Sequence, residues 1–239
     1  MMGAMHRRSI LKGGLAAGAA LVLPTRAFAE PDPLGNAFDQ AFPGRIPAET
    51  PEEVVPPGPP LFTGNSRAYE QRVLEIGSRE RDRAGAALWR NDIVGIADFA
   101  RPSAYPRLHF ANLEAGTVRS FFVAHGRGSD PEHDGWLKNF SNVNGSEATS
   151  RGSYLTCEWY NGKYGTSIRL EGLDGDNSNA LERAIVIHPA WYAAPGVIAR
   201  QGKLGRSEGC FAMAPEQFSE ALWHLSGGRL LYADRIGDV

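Results

Sequence analysis

The stretch Gly205-Arg206-Ser207-Glu208-Gly209-Cys210-Phe211 sets one of the chain's two cysteines in a glycine-bounded turn. Upstream, His188 ends the apolar run Ile185-Val186-Ile187, a short β-branched segment that reads as a buried strand. A histidine at the end of such a strand is held in place and still reaches a pocket. The thiolate is the reactive form of cysteine, and a free thiol of pKa about 8.5 needs a base or a positive neighbour to reach it. His188 is the candidate base. Gly209 lets the backbone approach a substrate and leaves amide N–H groups near Cys210 to hold an oxyanion. Arg206 can grip a carboxylate with two donors. Read singly, His188 is a core histidine and Cys210 a small buried hydrophobe. Read together with Ser207 and Gly209, they form a thiol nucleophile and its base.

Outward from that turn the chain reads as mainly β with a few helices, an α+β domain. Residues 93–99, 107–112, 118–124, 154–159, 167–170, 184–187 and 229–233 are short β-rich runs, with 113–117 as a hairpin connection. Ser66 is an N-cap candidate for a helix over 66–90, with Ala68, Val73, Ile76, Ala84, Ala87 and Leu88 as its apolar stripe. Gly77 and Gly85 weaken that helix. The run Arg79-Glu80-Arg81-Asp82-Arg83 reads as a solvated helix face. Pro215 opens a second helix over 215–225, with glycines after its end.

The N-terminus is an export signal. Arg7-Arg8 precedes a small-residue and apolar run over 13–23, and Ala27-Phe28-Ala29 is a cleavage site. The paired arginines point to the twin-arginine route. Residues 1–29 are thus a signal peptide, and the mature chain runs from Glu30 in the periplasm or cell envelope. The apolar run is shorter than the roughly 20 residues a membrane span needs. Cleavage removes four cations and no acid, so the net charge moves from −2 to −6. That balance excludes a general nucleic-acid binder, which needs a basic face. Nine of the chain's sixteen prolines lie between residues 31 and 60. Residues 30–65 therefore read as an extended arm or linker, residues 66–92 as a helix packed on the main domain, and 93–239 as that domain.

Two alternatives remain open on the residues alone. In an oxidising compartment Cys157 and Cys210 could pair as a structural disulfide. His125, Asp130, His133 and Asp134 could hold a metal, although their spacing reads as a polar loop. Asp174-Gly175-Asp176-Asn177 starts like a calcium loop, but the glycine and closing glutamate it requires are missing, so it reads as a turn.

Seven blocks occur in an order that resembles the murein L,D-transpeptidase catalytic domain family, related to the YkuD-type enzymes. They are Asp98-Phe99-Ala100-Arg101-Pro102-Ser103, then Val123 to Ser129, Phe140 to Ser146, Gly162 to Leu173, Asn177-Ser178-Asn179-Ala180, Arg183 to His188, and Leu204 to Cys210. The resemblance implies a β-sandwich-like catalytic domain preceded by an N-terminal helix. It implies attack by Cys210 on a peptidoglycan stem peptide, release of the terminal D-alanine, and transfer of the acyl group to an amine. With water as acceptor the same intermediate gives L,D-carboxypeptidase action, or release of wall-attached protein. A further alternative is a non-catalytic wall-binding protein of the same fold. Carried over, Cys210 is the nucleophile, His188 the base and Gly209 an oxyanion donor. Ser207, Arg206 and His125 are the candidate substrate-binding residues. Neither a metal nor an organic cofactor is implied, and the partners implied are peptidoglycan stem peptides. Two positions depart from the family pattern: Glu208 stands where a histidine is usual, and Pro189 where a glycine is usual. Glu208 beside a thiol would raise its pKa, so it is expected to face away or to pair with Arg206.

Overall fold

A computed structural model describes residues 64–237, all within one compact unit. The signal segment and all of the proline arm but Gly64 and Asn65 lie outside the described residues.

Helix α1 (Arg67–Ala84) starts where Ser66 accepts the Tyr69 N–H, and it stops at Gly85, which takes φ 49°. The expected helix to residue 90 is therefore shorter, because a left-handed glycine ends it. Its buried stripe is Tyr69, Val73, Ile76, Gly77 and Glu80, so Tyr69 replaces Ala68 on the inner face. Gly77 belongs there: a Cβ at that position would stand 3.4–3.6 Å from Leu113, Ile96 and Ala111, which keeps the helix close to the sheet. In the charged run Arg79, Asp82 and Arg83 are exposed and Arg81 half-buried, while Glu80 is buried and bonded to Arg79 and Arg83.

Eight strands follow: β1 (Ile93–Asp98), β2 (Leu108–Asn112), β3 (Thr117–Phe121), β4 (Gly152–Gly162), β5 (Gly165–Gly172), β6 (Val186–Pro189), β7 (Phe211–Met213) and β8 (Leu230–Asp234). Helix α2 (Pro195–Gln201) joins β6 to β7, and α3 (Pro215–His224) precedes β8. The strands form one continuous mixed sheet, ordered β3-β2-β1-β8-β4-β5-β6-β7, and with the N-terminal helix and two others they make the expected α+β domain. Pairing is antiparallel except at β1–β8 and β6–β7.

Both faces of the sheet are covered, which explains why β1 is buried at every position. Val94 and Ile96 face α1 together with Ala111 and Leu230. Ile93 and Ala97 face a larger core with Phe110, Phe121, Phe218 and Leu225, placing α3 on that side. Gly95 lies on the α3 face, where a Cβ would meet Leu225 and Leu231 at 3.0 Å. A strand buried on both faces reads as a continuous apolar run instead of an alternation.

Ile76→Ala removes three carbons from the α1–sheet layer at a 2 % exposed position. It is expected to cost about 2–5 kcal/mol, measured by urea unfolding followed by circular dichroism.

Candidate active site

The parallel β6–β7 ladder builds the site. Ile187 pairs with Phe211 and His188 with Ala212. Ile187 and Phe211 both point into the main core, so alternation turns His188 and Cys210 to the opposite face. Cys210 stands one residue ahead of the ladder, two steps diagonally from His188, a backbone separation of about 8 Å. Both line one cleft of about 280 Å³. Cys210 also lines an adjoining cleft of about 420 Å³ with Glu182, Arg183 and Glu208.

The cysteine turn is held by backbone crowding and by Ser207. Gly209 takes φ 114°, and a Cβ there would lie 2.8 Å from Ile185 Cδ1 and 2.9 Å from the Ala148 carbonyl oxygen. Only glycine fits both the conformation and the space. The segment after β3 forms the other wall: Ala124 bridges to Ala212 and Gly126 to Ser207. A Cβ on Gly126 would come within 2.7 Å of the Gly209 nitrogen. Ser207 Oγ donates to the Cys210 carbonyl at 2.6 Å and accepts the Gly209 N–H at 3.3 Å. Its hydroxyl thus closes the turn, while the residue also lines the smaller cleft, where a substrate contact is expected of it. The Gly209 amide is correspondingly shared with Ser207.

His188 is oriented by the backbone. Its Nδ1 lies 3.0 Å from the Pro189 carbonyl oxygen. A carbonyl only accepts, so Nδ1 carries the proton and Nε2 keeps its lone pair. The ring stacks on Tyr164, with centroids 4.6 Å apart and planes at 25°. Burial pushes the His188 pKa below its ordinary value, partly offset by the Pro189 carbonyl. The Cys210 thiol donates to the Ala184 carbonyl at 3.6 Å, and it makes no hydrogen bond to His188. Its pKa is pushed up, first by burial and then by Glu208. The Val186 N–H and Arg183 pull it back. The resting pair is therefore a neutral thiol beside a neutral imidazole.

Other expected site residues are placed differently. His125 is 1 % exposed. Its Nδ1 accepts from Arg107 at 2.6 Å, and its Nε2–H points to Asp130 at 3.3 Å. Burial and Arg107 push its pKa down to about 2. It lines neither of the two clefts at Cys210 and serves the turn through its carbonyl, which accepts the Ser207 N–H at 2.9 Å. Arg206 lines the smaller cleft, with Nη1 engaged by the Asp130 and Pro131 carbonyls. Glu208 is exposed and leans on Arg127 at 3.9 Å, not on Arg206. Asp174 caps a single turn and bonds Arg83.

Both cysteines are free. The sheet order puts β5 and β6 between Cys157 on β4 and the Cys210 turn at β7, roughly 14 Å across at ordinary strand spacing. A disulfide needs Cα atoms within about 7 Å, so this geometry does not pair them.

Three side chains not singled out by the sequence reading surround the thiol. Tyr164, at the β4–β5 turn, stacks on His188. Tyr192 lines the smaller cleft and crowds Gly205, whose Cβ would stand 2.6 Å from Tyr192 Cβ. Arg183 sits beside Gly209. Each lies in a short segment with no periodic signal; only their proximity in chain to β5, β6 and His188 hinted at the site.

A family model for the L,D-transpeptidase catalytic domain matches residues 66–233, which include α1 as well as the whole sheet. A second model, for the twin-arginine translocation signal, matches residues 4–24. No curated protein matches the chain. Among solved structures, an L,D-transpeptidase from Mycobacterium smegmatis is 15% identical, with a TM-score of 0.37 over 60% of this chain and 58% of that one. L,D-transpeptidase 3 from Mycobacterium tuberculosis is 14% identical, with a TM-score of 0.39 over 60% of this chain and 61% of that one. The chain thus spans about three fifths of the length of each.

Gly209→Ala is expected to slow alkylation of Cys210 by iodoacetamide at least about tenfold and to cost on the order of 1–3 kcal/mol of stability. Peptide mass spectrometry and thermal unfolding read the two effects. Purified under non-reducing conditions, the protein is expected to titrate two thiols with Ellman's reagent after unfolding.

Proposed function

This chain belongs to the L,D-transpeptidase catalytic domain family, and from the geometry around Cys210 we propose an exported cysteine acyl-transferase acting on peptidoglycan stem peptides. The observation that carries this reading is the β6–β7 register, which turns Cys210 and His188 into one cleft. The twin-arginine signal indicates export, and no described helix is long and apolar enough to cross a membrane. Cleavage after Ala29 would deliver the domain to the wall side of the membrane.

In the proposed reaction the Cys210 thiol swings from the Ala184 carbonyl toward His188, a single staggered step about χ1. Such contacts commonly tighten only once substrate is bound. Nε2 takes the thiol proton as sulfur attacks the carbonyl carbon of the stem's third residue. The resulting oxyanion lies over the turn, where the Cys210 and Gly209 amides are the candidate donors. Collapse breaks the C–N bond, His188 returns the proton to the departing D-alanine amine, and a thioester remains. An amine from a second stem then attacks the thioester and loses its proton to His188, which returns it to sulfur. Arg206, at the rim of the smaller cleft, is the candidate contact for the leaving carboxylate. With water in place of the amine the same intermediate is hydrolysed, and the product is a trimmed monomer.

Cys210→Ala is expected to abolish D-alanine release from purified tetrapeptide muropeptides. His188→Asn should lower it by about 10²–10⁴-fold. Mass spectrometry separates cross-linked dimers from trimmed monomers; undiminished release by Cys210→Ala overturns the reading. The pH dependence has a definite sign. The His188 pKa is depressed, so its base form persists below the usual histidine range. The acid limb of kcat/KM is therefore expected below about pH 6.5, the rate falling as pH drops through the lowered value.

A further inference from the structure

Arg183 lies just ahead of β6, and its guanidinium is fastened entirely by neutral groups. Nη1 donates to the Ser141 carbonyl at 2.7 Å and to Ser150 Oγ at 2.5 Å. Nη2 donates to Ser146 Oγ at 3.2 Å and to the Ala148 carbonyl at 2.5 Å. Among the described residues no carboxylate forms an ion pair with it, whereas Arg83, Arg127 and Arg229 each meet one. The same guanidinium lies against the cysteine turn: a Cβ on Gly209 would stand 3.3 Å from Nη2. Arg183, Ala184, Glu208 and Cys210 line one cleft.

We propose that Arg183 is a positioning residue for the thiol, clamping the 141–150 loop against the Gly209–Cys210 turn and fixing a positive charge beside Sγ in opposition to Glu208. This rests on reading Cys210 as the nucleophile. A half-buried cation with no carboxylate partner keeps its field for whatever anion forms nearby, and salt entering the open cleft screens that field only in part. The electrostatics agree in direction, since Arg183 lowers the Cys210 pKa while burial and Glu208 raise it.

Other groups facing the thiol are distributed on both sides. Glu147 and Glu182 stand with Glu208 on the larger cleft, Glu147 being paired with Arg127. Arg127, Lys163 and Arg206 stand with neutral His188 on the smaller one. Tyr154, Tyr164 and Tyr192 supply the phenols. Of these groups, Glu208 raises the thiol's pKa, and Arg183 lowers it.

The test is the pH profile of Cys210 alkylation in a Cys157→Ser background, which needs no peptidoglycan substrate. Iodoacetamide labelling followed by peptide mass spectrometry gives the rate at each pH. Arg183→Met is expected to move the midpoint up by about one pH unit and to slow labelling at pH 7 about tenfold. Arg183→Lys is expected to retain at least half of the midpoint shift's protection, because it keeps the charge while losing the fork of hydrogen bonds. A clamp without an electrostatic role predicts that Lys and Met behave alike, and an unmoved midpoint in a folded Arg183→Met protein overturns the proposal outright. Thermal unfolding checks folding. If Arg183→Met fails to fold, Glu208→Gln supplies the complementary arm: with the opposing carboxylate gone the midpoint should fall, and raising salt should then lift it by weakening Arg183. A salt-independent midpoint in Glu208→Gln counts against the proposal. A wild-type protein that shows the alkylation behaviour but acts on no muropeptide refutes the proposed function and leaves the Arg183 inference standing; the converse pattern does the opposite.

Discussion

The site depends on one backbone constraint, the parallel pairing of β6 with β7. Two parallel neighbours cannot be joined by a tight hairpin, so the chain must cross back before pairing. Here residues 190–210 make that return, using α2 and the glycine turn. The return delivers Cys210 to the start of β7, beside the start of β6. This places the Ala184 carbonyl, the Val186 N–H and the Arg183 guanidinium around the sulfur. His188, near the far end of β6, then sits on the same face, diagonally across. Antiparallel pairing would have brought the start of β7 beside the far end of β6 instead.

That arrangement sets the chemistry. Burial penalises the charged forms of both thiol and imidazole, raising one pKa and lowering the other. The pair rests uncharged, so in the proposed reaction His188 would take a proton during attack rather than hold a preformed thiolate. Glu208 strengthens this tendency, and Arg183 with the Val186 amide opposes it. The balance differs from that of a cysteine activated by a neighbouring imidazolium, where the ion pair forms before substrate arrives.

Much of the fold was legible because most strands carry short β-rich runs bounded by turn residues. Seven strands lie within a few residues of the runs that mark them, and the α1 and α3 starts follow Ser66 and Pro215. The parts that escaped are short or set by tertiary contact. β7 has three residues and no period. α2 is announced by Pro195 and by Gly202 at φ 75°, but seven residues are too few to show a stripe. The glycine turn at Cys210 and the strand end at His188 could be read from the sequence, and the two line one cleft. The fates of His125 and Ser207 could not: whether a polar side chain faces substrate or closes a turn depends on partners brought in from Arg107, Asp130 and the Gly209 amide. The contacts of Arg183 were hidden for the same reason, since its four acceptors lie 33–42 residues away along the chain.

Pro189 shows how a proline is accommodated at the end of a strand that positions the site. Proline has no N–H, so within a sheet it is tolerated only where the ladder needs no donor. It is the last residue of β6, and the next donor, the Ala190 N–H, reaches the Met213 carbonyl at 2.8 Å. The ladder therefore resumes one residue later. What the site requires from position 189 is a carbonyl, and proline keeps it: that oxygen accepts the Nδ1 proton of His188. The fixed φ of proline also narrows the directions in which the carbonyl can point. The imidazole is thus held in the tautomer with Nε2 free, the atom that the proposed reaction uses as proton acceptor, while Tyr164 stacks on its face.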